Sequence, residues 1–281
     1  MGYIRKLIEL CRKFYSIYVI RTLWIHWFNP LYTLYLNLVF FPFKQAIRLP
    51  IFVYGWPRLY SQFGKMLIEG KCKMGMVKFN VTIPGGPQNA LGNTELSVWG
   101  KIIFCGASKI GSGNKIIVGE NALLKLGKDT LVTSMINIIC YKEIVVGNHS
   151  WLVHRCQVMD SNMHYIADFI NYKVMPLAIP IKIGEYCWIC NSSTITGGAI
   201  IPDKTIVASN SLVSKDFSSI PPMSLLGGIP AKLIKTGLRR IDNKKFHLDI
   251  KTWYASTENK GIFEIKQGIS DNICNNIEEE I

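Results

Sequence analysis

The sequence predicts a mainly β chain: a single-stranded left-handed parallel β-helix with an amino-terminal helical extension and a short carboxy-terminal tail. From about residue 66 onward, β-branched residues, Gly and Asn replace the helical pattern of the earlier chain. Within this part, aliphatic residues recur every six positions, a period that neither a helix nor an alternating strand produces. The clearest run is Ile183, Ile189, Ile195, Ile201, Val207 and Val213.

A six-residue aliphatic period indicates one inward side chain on each face of a triangular coil, so that three faces make 18 residues per turn. The residue after each aliphatic position is small or compact, as a tight bend requires. These residues are Gly184, Cys190, Thr196, Pro202, Ala208 and Ser214. Earlier runs with the same period are Leu126, Val132, Ile138 and Ile144, and then Val146, Leu152 and Val158. Stacked coils of this kind bury a continuous aliphatic column.

Charge and aromatic content divide the 281-residue chain. Of the net charge of +13, residues 1–80 carry +10, and residues 1–60 hold 16 of the 32 aromatic side chains. We therefore predict a basic aromatic extension over residues 1–60, a β-helix domain over 61–235 with a loop at 165–182, and a tail over 236–281. An apolar content of 49% excludes a disordered chain.

The extension is typical of a segment that contacts an anionic membrane surface, because basic groups meet lipid phosphates and Trp and Tyr favour the headgroup level. We predict one or two amphipathic helices in residues 1–45, with a helical cap on the following domain as an equal alternative. Thr22–Phe43 has no charged residue and is long enough to cross a bilayer. Pro30 would interrupt a helix there, which disfavours a transmembrane helix. Because no signal-peptide pattern precedes Pro30, we expect a cytoplasmic protein, peripheral on the cytoplasmic face of a membrane. No nucleic acid partner is expected.

The stretch Ile181–Lys235 resembles the carboxy-terminal half of hexapeptide-repeat acyltransferases, which include galactoside, maltose and surface-polysaccharide O-acetyltransferases. The resemblance covers about residues 66–235 and is most specific around Trp188, Gly197-Gly198, Lys215-Asp216 and Gly228–Lys232. It implies a homotrimer that binds acetyl-CoA between neighbouring β-helices and acetylates a saccharide hydroxyl. The basic aromatic extension is similar to that of polysaccharide-associated members, which favours a glycan or a lipid-linked sugar as acceptor.

His164 is the candidate general base. It lies 18 residues after Val146, where the period expects an aliphatic residue, and the repeat then halts until Ile183. Imidazole is suited to remove a hydroxyl proton near neutral pH. The spacing of Asp160, Asn162 and His164 is also similar to the element that carries the base in polysaccharide-type members. Asp160 is expected to orient the imidazole or to contact the sugar, and Asn162 to contact the acceptor.

The resemblance also implies a donor site. Trp188 is expected to pack against CoA, and two glycines to let the backbone approach the pantetheine arm. Lysines near the end of the repeat match positions that meet CoA phosphates. The predicted cofactor-binding residues are Trp188, Asn191, Gly197, Gly198, Ser209, Ser214, Lys232 and Lys235, and His154 is expected to line the acceptor pocket.

Three other interpretations remain. His149 and His154, with Cys156 two residues later, have the spacing of paired zinc ligands in γ-class carbonic anhydrases, but residues 27–148 contain no His for a third ligand, so no metal is expected. Cys187 and Cys190 match a redox CxxC pattern without a βαβ context. A non-catalytic β-helix scaffold at a membrane is the third alternative.

Overall fold

The computed structural model describes Lys6 and residues 8–13, 27–83, 92–256 and 261–275. Short strands dominate this part of the chain. The strands of the amino-terminal half are β1 Ile51–Val53, β2 Arg58–Gln62, β3 Lys65–Ile68, β4 Val77–Val81, β5 Glu95–Val98, β6 Lys101–Phe104, β7 Ser108–Gly111, β8 Lys115–Val118, β9 Leu123–Leu126, β10 Thr130–Val132, β11 Asn137–Cys140 and β12 Glu143–Val146.

The carboxy-terminal strands are shorter. They are β13 Trp151–Leu152, β14 Gln157–Met159, β15 Ala167–Asp168, β16 Lys173–Val174, β17 Ile181–Ile183, β18 Trp188–Ile189, β19 Thr194–Thr196, β20 Ile200–Ile201, β21 Ile206–Val207, β22 Leu212–Val213, β23 Ser224–Gly227 and β24 Lys232–Thr236. The helices are α1 Pro30–Phe40, α2 Phe43–Ala46 and α3 Lys244–Ser256, with a 3-10 turn at Asp271–Cys274.

Three sheets form the faces of a left-handed parallel β-helix, which confirms the predicted fold class. Face 1 has the order β1-β4-β7-β10-β13-β18-β21-β23-β24, face 2 the order β2-β5-β8-β11-β14-β19-β22, and face 3 the order β20-β17-β12-β9-β6-β3. All pairs within the faces are parallel except β23 with β24. We call the bends from face 1 to 2, 2 to 3 and 3 to 1 the first, second and third corners.

The core is the predicted aliphatic column, and every residue of the run from Ile183 to Val213 at spacing six is at most 1% exposed. Coil length is less regular than predicted. Paired residues are 18 apart between Ile183 and Ile201, but 20 apart between Val132 and Leu152 and 22 apart between Ile110 and Val132. Many four-residue strands of the earlier coils bury two side chains each, so their coils are longer.

The chain leaves the coil after β14 and returns at β17, so the loop spans residues 160–180 rather than 165–182. Ile181 and Ile183 both point inward, whereas the six-residue period marks only Ile183. Antiparallel strands β15 and β16 make the loop a small hairpin. Its base is closed by the bridge between Ser161 and Ala178.

The coil begins at Ile51, ten residues before the predicted boundary, because the first coils lack the six-residue spacing that made later ones recognisable. Helix α1 covers this end of the core with Leu36 and Phe40. Buried polar side chains of α1 pair with the edge strand β1: Thr33 Oγ1 accepts from Val53 N at 2.9 Å, and Asn37 Oδ1 accepts from Ile51 N at 3.1 Å. An otherwise unpaired sheet edge is therefore satisfied.

Helix α1 begins at Pro30, where Asn29 Oδ1 accepts from Tyr32 N. Much of the segment predicted to form amphipathic helices, residues 1–5, 7 and 14–26, lies outside the described part; Lys6 and residues 8–13 are helical and exposed. Among the described residues, none of the helices has the length and apolar character needed to cross a bilayer.

The tail folds back over face 1 and the third corner. The Arg240 guanidinium lies 3.6 Å from the ring centre of Trp151, and Arg240 Nη2 donates to His149 O at 2.7 Å. Farther along, Asp271 pairs with Lys204 and Arg239. The predicted tail thus contains a 13-residue helix, α3.

Candidate functional site

The loop that carries His164 is anchored at the second corner. Ile179 N donates to Asp160 O at 2.9 Å, so the two ends of the loop lie side by side. Ser161 Oγ donates to Leu177 O at 2.6 Å and accepts from Met163 N at 3.0 Å. These bonds fix the turn that precedes His164, and both Asn162 and His164 project into solvent.

Asp160 holds this turn through the backbone. Its side chain is buried, and its two carboxylate oxygens accept three backbone N–H groups of the preceding coil: those of Tyr141 at 2.7 Å, Lys142 at 2.8 Å and Glu143 at 2.9 Å. Charge-assisted bonds of this kind are strong. With both oxygens occupied in this way, Asp160 positions the root of the loop, whereas the expected role was to orient the imidazole or to contact a sugar.

Gly197 and Gly198 lie directly against the loop root. A Cβ on Gly197 would come within 2.8 Å of Asp160 O and 3.1 Å of Ile179 O. Gly198 has φ +86° and donates to Pro180 O at 3.1 Å. The glycine pair was expected to admit a pantetheine arm, but in this chain Gly197 admits the backbone of the loop itself.

The next layer of the second corner contains Ser214 and Lys215, both exposed. The two successive strands of face 2 that lead into this corner are joined by Thr196 Oγ1 of β19, which donates to Val213 O of β22 at 3.5 Å. Gly198, Ser214 and the root of the loop that carries His164 thus lie at the same corner. Lys215, which the resemblance marks without assigning it a role, adds an exposed positive charge there.

The first corner gathers a different set of predicted residues. His154, Asn191 and Ser209 stack in successive coils, because Ser192 N donates to His154 O and Asn210 N donates to Asn191 O, each at 3.1 Å. Ser209 Oγ donates to Asn191 Oδ1 at 2.6 Å. At about 3.3 Å per strand residue, the segment from Cys156 to Asp160 that joins the two corners extends about 13 Å. One chain thus places the two corners at opposite edges of face 2.

Lys232 and Lys235 are exposed on β24 at the carboxy-terminal end of face 1. The turn before this strand closes on the first corner, since Leu212 N donates to Gly228 O at 3.0 Å and Ala231 N donates to Leu212 O at 2.7 Å. Lys232 therefore follows the end of the column formed by His154, Asn191 and Ser209. The positive charge of Lys232 therefore lies next to the carboxy-terminal end of this column of polar side chains.

Trp188 occupies face 1, which lies opposite the second corner. It pairs in register with Trp151, and its indole Nε1 is buried without a hydrogen-bond partner. Because Ile189 is the inward residue of β18, Trp188 faces outward, on the same side of the sheet as Trp151 and the tail that covers it. The structure does not bring Trp188 together with His164 or Gly197.

His149 and His154 lie at different corners, the third and the first. The His149 ring stacks on Tyr186 with centroids 4.6 Å apart, and its Nδ1 is 3.7 Å from Asp129 Oδ2. Within one chain the two imidazoles flank β13 and do not converge on one ion. Among the described residues, no group of three potential metal ligands is found.

The two cysteines of the CxxC pattern are free in the structure. Burial raises the pKa of Cys187 to about 12 and that of Cys190 to about 11. Because the thiolate is the reactive form, such thiols are poor nucleophiles near neutral pH. Their surroundings indicate packing positions within the coil.

No family model matches the chain. Among curated proteins, it is 29% identical over 112 residues to WcaF of Escherichia coli K12, described as a colanic acid biosynthesis acetyltransferase; the match covers 40% of this chain and 58% of WcaF, so the chain spans a little over half of that relative. It is 22% identical over 159 residues to WbbJ of the same strain, described as a lipopolysaccharide biosynthesis O-acetyl transferase, covering 57% of this chain and 69% of WbbJ.

In sequence, the chain is therefore similar to these two acetyltransferases. Solved structures similar to this chain include the polysialic acid acetyltransferase NeuO, with a TM-score of 0.44 and 20% identity over 73% of this chain and 98% of NeuO. Another is a hexapeptide-repeat acetyltransferase of Vibrio cholerae in complex with acetyl-CoA, with a TM-score of 0.35 and 24% identity over 40% of this chain and 60% of the other.

Proposed function

We propose that this hexapeptide-repeat protein transfers an acetyl group from acetyl-CoA to a hydroxyl of a saccharide in the synthesis of a polysaccharide or a lipid-linked glycan. The six-residue repeat and the similarity to the acetyltransferases WcaF and WbbJ support an acetyl transfer, and the functions described for those two proteins support a surface-glycan acceptor. The observation that carries the proposal is the loop at the second corner, the place where the coil is interrupted between faces 2 and 3 and where an exposed imidazole is held by a fixed turn.

His164 acts as general base in this reaction. Its imidazole takes the proton of the acceptor hydroxyl while the oxygen attacks the thioester carbonyl. The tetrahedral intermediate then expels the CoA thiolate, which recovers the proton, and the acetyl ester and free CoA are the products. Asp160 contributes by holding the loop root, and Asn162 is close enough in sequence to contact the acceptor beside His164.

The donor is proposed to lie in a groove between neighbouring copies of the chain. On this proposal, Gly198 and Ser214 line the thioester end at the second corner. Asn191, Ser209, Lys232 and Lys235 supply the polar and basic groups toward the other end, from the first corner of an adjacent copy. Lysines would meet the CoA phosphates as point charges rather than through the two-pronged contacts of arginine. Trp188 keeps a packing role on face 1.

A homotrimer is the assembly we propose, and the hairpin of the loop supports contact with another copy. Phe169, Ile170 and Tyr172 are each more than 80% exposed at its tip. Exposed apolar groups at this density are typical of association surfaces. Changing Phe169 and Ile170 to serine should shift the mass measured by light scattering from trimer to monomer. The same change at the equally exposed Ile262 should leave it unchanged, and a trimeric hairpin variant would contradict the proposal.

His164→Ala tests the catalytic assignment. We expect transfer from acetyl-CoA to fall by about 10²–10⁴-fold, the contribution typical of a general base. CoA binding, measured by calorimetry, should be retained. His247→Ala, on the exposed face of α3, is the matched control and should keep full activity. Full transfer by His164→Ala would defeat the assignment, and a wild-type protein that binds no CoA thioester would favour the scaffold alternative.

Peripheral membrane contact is proposed through the amino-terminal end. Trp27, Leu31 and Phe43 are 64–76% exposed, and Lys44 and Arg48 lie beside them in sequence. Because α1 covers the core, deleting residues 1–45 would disturb the fold. A double variant, Trp27→Ser with Phe43→Ser, is therefore the better test. It should no longer bind vesicles that contain anionic lipid. Unchanged flotation with these vesicles would contradict the membrane proposal.

A further inference from the structure

A second cleft, of about 480 Å³, opens on face 1 beneath the start of α3. Its size is in the range of sites for small ligands. Polar and charged side chains from three strands, the third corner and the tail line it, beside the apolar Leu131 and Trp151. The charged and imidazole side chains at its wall are Lys78, Lys109, Lys244, Asp129, Asp242 and His149. It lies across the β-helix from the second corner and is separate from the proposed catalytic site.

Two of the lysines stand side by side on neighbouring strands. Lys78 of β4 and Lys109 of β7 are partners in the parallel register, about 4.8 Å apart along the sheet. Like charges at such positions destabilise a sheet. Lys244 adds a third ammonium group as the first residue of α3. In the described part of the chain none of the three forms an ion pair, so their charge is available to a ligand.

The carboxylates of the cleft are differently placed. Asp242 is compensated by Arg240, whose Nη2 donates to its Oδ2 at 2.6 Å. Asp129 is 42% exposed and faces the cleft beside His149. An exposed carboxylate accepts hydrogen bonds from hydroxyl groups, whereas the free lysines favour a negative group. Leu131 and Trp151 provide apolar surface next to both.

We propose that this cleft binds an anionic saccharide, a sugar that bears a carboxylate or a phosphate. Lys78, Lys109 and Lys244 contact the anionic group, and Asp129 accepts from a ring hydroxyl. The inference rests on the proposed function, because a site opposite the catalytic corner would retain a polymeric acceptor between transfers. Its chemistry is nevertheless independent of CoA and of His164.

The test is calorimetry of the full-length protein at low ionic strength with glucuronate, glucose 1-phosphate, glucose and inorganic phosphate. We expect at least one of the anionic sugars to bind about tenfold or more tightly than both glucose and inorganic phosphate, a difference of about 1.4 kcal/mol. Tighter binding of glucuronate would identify the anionic group as a carboxylate, and tighter binding of glucose 1-phosphate would identify it as a phosphate. Equal affinity for glucose, or phosphate binding as tightly as the anionic sugars, would overturn the proposal.

Lys78→Ala with Lys109→Ala should weaken binding of the anionic sugar about tenfold or more. The matched control is Lys65→Ala with Lys101→Ala, an exposed in-register pair on face 3 that removes the same charge. Equal loss in both double variants would overturn the site. Lys244→Ala, on an exposed residue, should weaken binding without affecting the fold.

His164→Ala separates the two proposals, since it should bind the anionic sugar like the wild type. If the protein binds the anionic sugar but has no transferase activity, the saccharide site in the cleft is supported and the proposed function is contradicted. If the protein transfers acetyl groups but binds no sugar in the cleft, the proposed function is supported and the saccharide site is contradicted.

Discussion

Replacing Asp160 with asparagine removes the charge from the carboxylate that anchors the loop carrying His164. In the native protein, Oδ2 accepts from the N–H groups of Lys142 and Glu143, and Oδ1 accepts from that of Tyr141. Asparagine keeps one oxygen and presents an NH₂ group in place of the other. One or two backbone donors then face another donor, and the side chain is buried, so water does not replace the lost acceptor.

Each buried donor left without a partner costs about 1–3 kcal/mol, and the remaining bonds lose the assistance of the charge. We therefore expect Asp160→Asn to lower the free energy of unfolding by about 2–5 kcal/mol. For a chain of this size, that corresponds to a fall in the unfolding midpoint of about 5–15 °C. Transfer activity should fall as well, because the root of the loop sets the position of His164.

Asp168→Asn is a matched control within the same loop. Asp168 Oδ1 accepts from the N–H groups of Ile170 and Asn171 at 2.9 and 3.0 Å, and its Oδ2 accepts from the Asn171 side chain. These bonds lower the pKa of Asp168, but they lie on an exposed hairpin tip where water can replace them. We expect a cost below about 1 kcal/mol.

Thermal unfolding followed by circular dichroism compares the two variants, and transfer kinetics as a function of pH complete the assay. The pH profile of Asp160→Asn should keep the shape of the wild-type profile, because on our proposal Asp160 does not contact the imidazole. Asp160→Asn with native stability and an altered pH profile would refute the positioning role and restore direct contact between Asp160 and the imidazole.

Two further predictions concern the loop root and the tail. Gly197→Ala should lower both stability, by about 1–3 kcal/mol, and transfer activity, because its Cβ would overlap the carbonyl oxygens at both ends of the loop; native activity in this variant would contradict that packing. The hydrogen bond from Lys204, together with that from Arg239, lowers the pKa of Asp271, so this contact stabilises the tail above about pH 4 and is lost as the pH falls through the lowered value. Hydrogen exchange of residues 261–275 should therefore rise below pH 4 in the wild type and be raised already at pH 7 in Asp271→Asn, and equal exchange in the two proteins at pH 7 would contradict it.

The β-helix was predictable because each inward side chain has the same role in every coil. A six-residue period survives in the sequence wherever strands are short, as from Ile183 to Val213. The first coils escaped recognition because paired residues there are far apart in sequence: Val53 pairs with Phe79 and Phe79 with Ile110. Insertions between the strands erase the period without changing the packing.

The site was less predictable, because its geometry depends on which face and which corner each residue occupies. The interruption of the repeat predicted a loop directly after His164, and in the structure the loop of residues 160–180 includes His164. It did not reveal that Asp160 turns back to the preceding coil, since the three amides it binds lie 17–19 residues earlier. Nor did it reveal that Arg240 of the tail would cover face 1 near Trp188, a contact made from far along the chain.

A crystal structure of the protein with bound CoA would test the proposed transferase site most directly. We expect the thiol end of CoA at the second corner, close enough for an acceptor oxygen to lie between it and the His164 imidazole at hydrogen-bond distances of about 3 Å. The phosphates should lie toward Lys232 and Lys235 of an adjacent copy. CoA bound on face 1 beside Trp188, with His164 far from the thiol, would contradict the proposed chemistry.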